Sequence, residues 1–211
     1  ISIVPLAFGN TKAYIEAIKH IAMKTNDFYA ILAEGADKAS DVYGGKDFAM
    51  TFAKNEMAGY HTGYGQVVGQ TVGARHSHLC NGGYSIDQSM KEFDKEKLVN
   101  ALFNEEKERC MLNSLIICLF ARKVYDRKTI LAVLNSIGYD ITDEELTALG
   151  ERIYRTKLRI KQMMGFDPKS VKLPKRLFET PSMSGKLDEQ VTYELIDMYY
   201  KKGEELMSKS D

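Results

Sequence analysis

The chain has 211 residues, enough for one large domain or two small ones with a hydrophobic core. Its 29 lysines and arginines balance 29 aspartates and glutamates, so there is no net charge to recruit nucleic acid or an acidic membrane surface. Three cysteines at unrelated spacings do not form a disulfide framework, which favours a reducing, cytoplasmic setting.

The N-terminal part of the chain is predicted to begin with two helices. Asn10 can cap a helix that runs to about Lys24. Apolar residues at helical spacing predict a second helix from Asp27 to the glycine pair that begins at Gly44. The following stretch, residues 48–53, is ambiguous between a strand and a helical turn.

Residues 59–83 contain seven glycines and three of the four histidines, His61, His76 and His78. Gly65, Gly69 and Gly73 recur every four residues, so on a helix they would form one bare face. Such a face admits either another backbone in tight helix packing or a flat ligand, and both alternatives remain open. The segment lacks the phosphate-loop and dinucleotide-binding patterns, so it carries no nucleotide motif.

The most apolar run of the chain follows a helix that Asp94 is expected to cap. Glu105–Arg109 is predicted as a solvated face or turn, and Cys110–Ala121 as a buried core helix. The run is too short to span a membrane, and no stretch resembles a signal peptide. Asn113 and Ser114 are its polar exceptions, so they are expected to bond to neighbouring helices or to face a ligand.

Three further helices are predicted in the C-terminal part. The first covers Thr129–Ile137, and the second begins with a capping box at Thr142 and ends near Gly165. The last helix runs from Asp188 to about Lys202. An irregular connection before it is marked by three prolines, Pro168, Pro174 and Pro181.

No strand has a strong signal, so the fold class is predicted as all-α, an irregular assembly of many helices. A domain of residues 1–90 would carry the glycine-rich segment, and a domain of residues 91–211 would carry Cys118. The two are expected to pack as one unit.

Spacing alone does not predict a metal or catalytic site. Cys110 and Cys118 lie eight residues apart, roughly 80° around a helix, so they cannot easily close on one ion. His76 and His78 would share a face only in extended chain. An inert core thiol is therefore the simplest interpretation of Cys118.

Six segments, in order along the chain, resemble the tungsten-containing aldehyde ferredoxin oxidoreductase family. They resemble its motifs LAEG, RG-x-x-HL…GY, DSLGLCKF, GERIY, LPKR and a C-terminal YY. In this chain they are Leu32–Gly35, His78–Tyr84, Asn113–Phe120, Gly150–Tyr154, Leu173–Arg176 and Tyr199–Tyr200. The resemblance covers nearly the whole chain and implies the all-helical C-terminal domains of the family.

The resemblance implies an enzyme that oxidises aldehydes to carboxylic acids. Family members use tungsten, sometimes molybdenum, held by two pterin dithiolenes, and pass electrons through a 4Fe–4S cluster to ferredoxin. The chain opens on Ile1 in the middle of a pattern, so it is expected to be a fragment that lacks the N-terminal pterin-binding domain. By itself it is expected to hold no cofactor and to be inactive. Its exposed cofactor-facing surface could lead to a homodimer.

The resemblance also implies site residues. Cys118 matches, by its position in the DSLGLCKF motif, the fourth cysteine of the family's cluster. Thiolate is the right ligand for such a cluster. Asn113 matches an aspartate that anchors pterin, and Ser114 and Leu115 follow it in the same cofactor-binding motif. His78 matches a histidine near the metal, where it could donate a hydrogen bond and help proton transfer as a catalytic residue.

Several positions depart from the family pattern. Asn113 replaces the carboxylate, Ile116 stands where the family has a glycine, and Thr62 and Gly63 replace a proline–arginine pair. A branched side chain at residue 116 is expected to obstruct a flat cofactor. The alternative interpretation is therefore a divergent, non-catalytic helical paralogue that acts as a binding or assembly module.

Overall fold

The computed structural model describes residues 4–81, 83–121 and 123–209, and these residues confirm the predicted all-α class. One compact unit consists of Ile1–Met57 with Leu173–Glu179, and a second consists of Ala58–Lys172 with Thr180–Asp211. The predicted boundary between residues 90 and 91 falls inside the second unit, and that division into domains stays a prediction.

Helices account for nearly all of the regular structure that the described residues form. The α-helices in chain order are α1 (Thr11–Met23), α2 (Asp27–Leu32), α3 (Ala36–Tyr43), α4 (Tyr64–Val72), α5 (His78–Asn81), α6 (Tyr84–Ser89), α7 (Lys95–Ser114), α8 (Arg127–Ser136), α9 (Asp143–Met163), α10 (Arg176–Glu179) and α11 (Glu189–Ser208). Two short 3₁₀ turns cover Leu119–Ala121 and Pro168–Ser170.

The first unit confirms one predicted helix and corrects another. Asn10 caps α1, since its side chain accepts a hydrogen bond from the N–H of Ala13 at 3.2 Å. The single helix predicted from Asp27 is wrong, because the chain forms α2 and α3 instead. Gly35 separates them with a φ of 96°, a left-handed conformation that breaks a helix and suits glycine.

The ambiguous stretch after α3 forms a small hairpin. Strands β1 (Thr51–Phe52) and β2 (Asn55–Glu56) are antiparallel, with Thr51 opposite Glu56. Ala53 and Lys54 connect them with φ values of 46° and 69°. Two successive left-handed residues are typical of the type I′ turn that matches strand twist in two-residue hairpins.

The second unit is built from the long helices α7, α9 and α11 packed with α4. Leu102, Leu146 and Leu195 lie fully buried in its core. The predicted caps are confirmed: Asp94 accepts a hydrogen bond from the N–H of Lys97, and Thr142 forms a complete capping box. None of the helices in the described ranges is long and apolar enough to cross a membrane.

Two predictions about α7 are wrong. Glu105–Arg109 lies within the helix, and its members Glu106 and Arg109 are buried rather than solvated. The predicted core helix Cys110–Ala121 does not exist as one element, because α7 ends at Ser114. The last turns of α7 do pack into the core, where Met111 and Leu112 contact Ile130 and Leu146.

Candidate functional site

The end of α7 is a Schellman motif, and it controls where the candidate site residues lie. The N–H of Ile117 donates to the carbonyl of Leu112 at 3.0 Å, and the N–H of Ile116 donates to the carbonyl of Asn113 at 3.1 Å. Ile116 has a φ of 60°, in the left-handed region. Glycine usually occupies this position in a helix end, and glycine is also what the family motif has where this chain has Ile116.

The residues around the stop are exposed, which corrects the expectation of a buried run. Ile116 is 93% exposed, and Phe120 is exposed as well. Asn113 and Ser114 lie on the surface at the end of the helix, and Leu115 is half-buried. The hydroxyl of Ser114 donates to the carbonyl of Cys110 at 2.9 Å, so one of the two polar groups bonds within α7.

Cys118 is a free, exposed thiol in an apolar groove. The groove has a volume of about 500 Å³ and lies between the chain after α7 and helix α8. Its lining consists of Leu115, Ile116, Ile117, Cys118, Ala121, Tyr125, Ile130, Val133 and Leu134. The predicted inert core thiol is therefore wrong for Cys118, since its side chain is not in the core.

The other two cysteines are buried. The Arg75 guanidinium donates to the sulfur of Cys80 at 2.7 Å, and burial raises the pKa of the Cys110 thiol to about 11. Of the three cysteines, Cys118 is therefore the one that is exposed on the surface. Residues 4–81, 83–121 and 123–209 contain no group of three or more histidine, cysteine, aspartate or glutamate side chains that could hold a metal ion.

His78 is the first residue of α5 and is half-buried. Its carbonyl accepts a hydrogen bond from the buried guanidinium of Arg109 at 2.5 Å. Its ring lies edge-on to Tyr60, with ring centroids 6.0 Å apart. Arg109 is one helical turn before Asn113, so the last turns of α7 hold the backbone of His78 and also present Asn113.

The glycines of α4 serve close packing, one of the two alternatives for this segment. A Cβ on Gly69 would lie 2.6 Å from the carbonyl oxygen of Asn81, and a Cβ on Gly65 would lie 3.1 Å from the carbonyl oxygen of Gly83. Helix α4 is buried along Gly65–Val72 and packs directly on the backbone that leads into α6. Gly82, which belongs to the quoted motif, lies outside the described residues.

Asp87 was not singled out from the sequence, yet it holds the beginning of α4. Its carboxylate accepts hydrogen bonds from the N–H groups of Gly65 and Gln66 at 2.7 and 2.9 Å and from the hydroxyl of Thr62 at 2.8 Å. An acidic group at a helix N-terminus is stabilising. Thr62, a departure from the family pattern, therefore has a structural role of its own.

A buried polar network in the second unit was also missed. The hydroxyls of Tyr154 and Tyr199 lie 2.8 Å apart, and Tyr199 also donates to the carboxylate of Glu106 at 3.2 Å. Burial raises the pKa of Glu106 and holds the pKa of both tyrosines well above the usual value. The motifs GERIY and YY contain the two tyrosines, so they were the signal available in the sequence.

Comparison with known proteins identifies similar chains. Residues 2–203 match the family described as aldehyde ferredoxin oxidoreductase, domains 2 and 3. The chain is 28% identical to a tungsten-containing aldehyde ferredoxin oxidoreductase of Thermococcus kodakarensis, in an alignment that covers 93% of this chain and 34% of the relative. It is 28% identical to the protein of the same name from Pyrococcus furiosus, covering 86% of this chain and 32% of the relative. The chain thus spans about a third of the length of these relatives.

Proposed function

This chain belongs to the aldehyde ferredoxin oxidoreductase family, and we propose that it is the C-terminal part of a tungsten-pterin, iron–sulfur aldehyde:ferredoxin oxidoreductase. In that reaction an aldehyde and a water molecule yield a carboxylic acid, two protons and two electrons, and the electrons pass to ferredoxin. The chain alone is inactive, because the remaining parts of the site come from outside these residues. The observation that carries the proposal is the free, exposed Cys118 just beyond the stop of α7.

The chain can supply one of the four cysteine ligands that a 4Fe–4S cluster needs. Such clusters take cysteine thiolates, and this chain offers one accessible thiol while its other two cysteines are buried. The described residues hold no complete metal site, so three further cysteines would belong to another part of the protein. When bound, the tungsten-pterin group and the cluster would supply the two-electron oxidation and the route for single electrons.

Asn113, Ser114 and Leu115 are proposed to contact pterin. Asn113 is exposed at the end of α7, where its amide can donate and accept hydrogen bonds. An amide lacks the charge of the family's aspartate, so its bonds to pterin N–H groups are weaker than charge-assisted ones. Ile116 is 93% exposed and projects from the helix end, so the obstruction of a flat cofactor by this side chain stays a prediction.

His78 is the proposed catalytic residue of this chain. It could donate a hydrogen bond to the substrate carbonyl and help proton transfer, which are common roles of a catalytic histidine. Its half-buried ring beside Tyr60 and its backbone bond to Arg109 give it a fixed place. We also propose that the complete protein is cytoplasmic, that ferredoxin is its partner and that it forms a homodimer.

The metal content of the complete gene product, purified without oxygen, tests the function. The proposal expects about one tungsten and four irons per chain, with aldehyde-dependent reduction of ferredoxin. Iron without tungsten would reduce the function to electron transfer. A complete gene product that contains neither tungsten nor iron would contradict the proposed enzymatic function.

A second candidate is a non-catalytic paralogue that acts as a binding or assembly module. One observation favours it. Thr62, which departs from the family pattern, donates a hydrogen bond to Asp87 and so helps to fix the start of α4. A scaffold function predicts a folded complete protein with neither tungsten nor iron. Metal at the ratio given above would exclude it.

A further inference from the structure

Residues 72–81, which carry His78, are held at both ends by side chains from three different helices. We call these residues the histidine segment. It links the end of α4 to α5, and it contains His76 in a left-handed conformation with a φ of 51°. A segment with such a conformation keeps it only when its surroundings determine it.

Lys161, from α9, holds the beginning of the histidine segment. Its ammonium donates hydrogen bonds to the carbonyls of Val72 and Gly73 at 3.1 and 2.7 Å. It also lies 3.7 Å from the ring centroid of Phe166, a favourable cation–π position. Lys161 is buried, and burial lowers its pKa to about 7.

Glu106, from α7, holds Ala74, the residue that follows Gly73. Its carboxylate accepts the N–H of Ala74 at 2.8 Å, and it is fully buried. Gly73 leaves room for this contact, because a Cβ there would lie 3.0 Å from the second carboxylate oxygen of Glu106. A buried carboxylate needs such partners, since an unpaired buried charge is strongly destabilising.

The far end of the segment is attached to the same network. The amide of Asn81 donates to the hydroxyl of Tyr199 at 3.1 Å and to the carbonyl of Leu102 at 3.1 Å. Tyr199 in turn donates to Glu106. Glu106 is therefore connected to the beginning of the histidine segment directly and to its end through one tyrosine.

We infer that Glu106 and Lys161 are positioning residues, which fix the histidine segment and thereby the place of His78. The role of His78 in catalysis rests on the proposed function, whereas the positioning is a property of the fold. The two buried groups act on the backbone on either side of Gly73. Losing either one would leave backbone groups of the segment without their partner in the core.

Hydrogen–deuterium exchange of the complete gene product tests this inference. Glu106→Leu removes the acceptor, and Glu106→Gln is the matched control because its carbonyl oxygen can still accept the N–H of Ala74. We expect peptides within residues 74–81 to exchange about tenfold faster in Glu106→Leu and within about threefold of the native rate in Glu106→Gln. Helix α8, outside the network, should keep its native rate in both variants.

Lys161→Met provides a second variant should Glu106→Leu fail to fold, and it is expected to accelerate exchange in the same peptides. Unchanged exchange in residues 74–81, or equal acceleration in α8, would overturn the inference. The readout does not depend on bound metal. Absence of tungsten and iron would thus contradict the proposed function, whereas the positioning inference would still be decided by the exchange rates.

Discussion

The N–H of Ile117 bonds to the carbonyl of Leu112 at 3.0 Å, across a helix end whose left-handed residue is an isoleucine. This bond places Cys118 outside α7 and on the surface. A β-branched residue at positive φ is a conformational outlier, because its Cβ crowds the neighbouring backbone. The same turn therefore stores strain and presents the candidate ligand.

Replacing Ile116 with glycine should stabilise the protein by about 0.5–1 kcal/mol, because relief of left-handed strain exceeds the added entropy of the unfolded chain. The 93% exposed side chain gives up little buried area. Ile116→Ala is the control and should change the free energy of unfolding by less than about 0.5 kcal/mol, since it keeps a Cβ. Urea denaturation measures both. A less stable glycine variant would contradict the assignment of the turn.

Replacing Gly69 with alanine should destabilise the protein by about 1–3 kcal/mol, because the new Cβ would lie 2.6 Å from the backbone oxygen of Asn81. Gly59→Ala is the matched control. No atom lies within 4 Å of a Cβ at residue 59, and the change should cost less than about 0.5 kcal/mol. Thermal and urea unfolding would compare the two variants, and equal stability would exclude tight packing at α4.

Maleimide labelling of the folded chain should modify one thiol quickly, and Cys118→Ser should abolish that fast phase. Cys118 is exposed, whereas Cys80 and Cys110 are buried, and burial also raises the pKa of Cys110 to about 11. In denaturant all three cysteines should react. Mass spectrometry counts the adducts, and fast labelling of two thiols in the native state would contradict the structure.

The stability of the protein should depend on His76 between pH 6.5 and 4. Burial, and then the charge of Lys161, lower the pKa of His76 to about 4, so the folded state favours the neutral ring. Its contribution is fully present above pH 6.5 and is lost as the pH falls towards 4. We expect about 1–2 kcal/mol, since the partly exposed ring is screened by solvent.

His76→Asn is the control for this pH dependence, because asparagine tolerates the left-handed backbone but does not titrate. The comparison is made below pH 6, where Lys161, with its pKa of about 7, is mostly protonated in both states, and carboxylates common to both proteins cancel in the difference. The unfolding free energy of the native protein should therefore fall relative to that of the variant as the pH falls, whichever of the two is more stable at neutral pH. A constant difference between pH 6 and pH 4 would show that His76 does not titrate as stated.

Local signals predicted much of the fold. The caps at Asn10, Asp94 and Thr142 depend on residues within one turn, so the sequence was sufficient. The break at Gly35 carried its usual glycine signal and was nevertheless missed. The end of α7 carried no such signal, because an isoleucine occupies the position where glycine normally stops a helix.

The site was less predictable, because its features depend on contacts between distant segments. Resemblance alone singled out Cys118, and the tertiary structure was needed to show that its thiol is exposed. Glu106 lies in a charged stretch typical of a solvated face. Its burial follows from partners 32 and 93 residues away, Ala74 and Tyr199, which no local pattern reveals.

The most direct test of the central claim, that Cys118 is a cluster ligand, is the electron paramagnetic resonance spectrum of the reduced complete gene product. The account predicts a 4Fe–4S signal that Cys118→Ser abolishes or converts to a different cluster, while Cys80→Ser, at a buried thiol, leaves it unchanged. An unaltered signal in folded Cys118→Ser protein would remove Cys118 from the site and contradict the account.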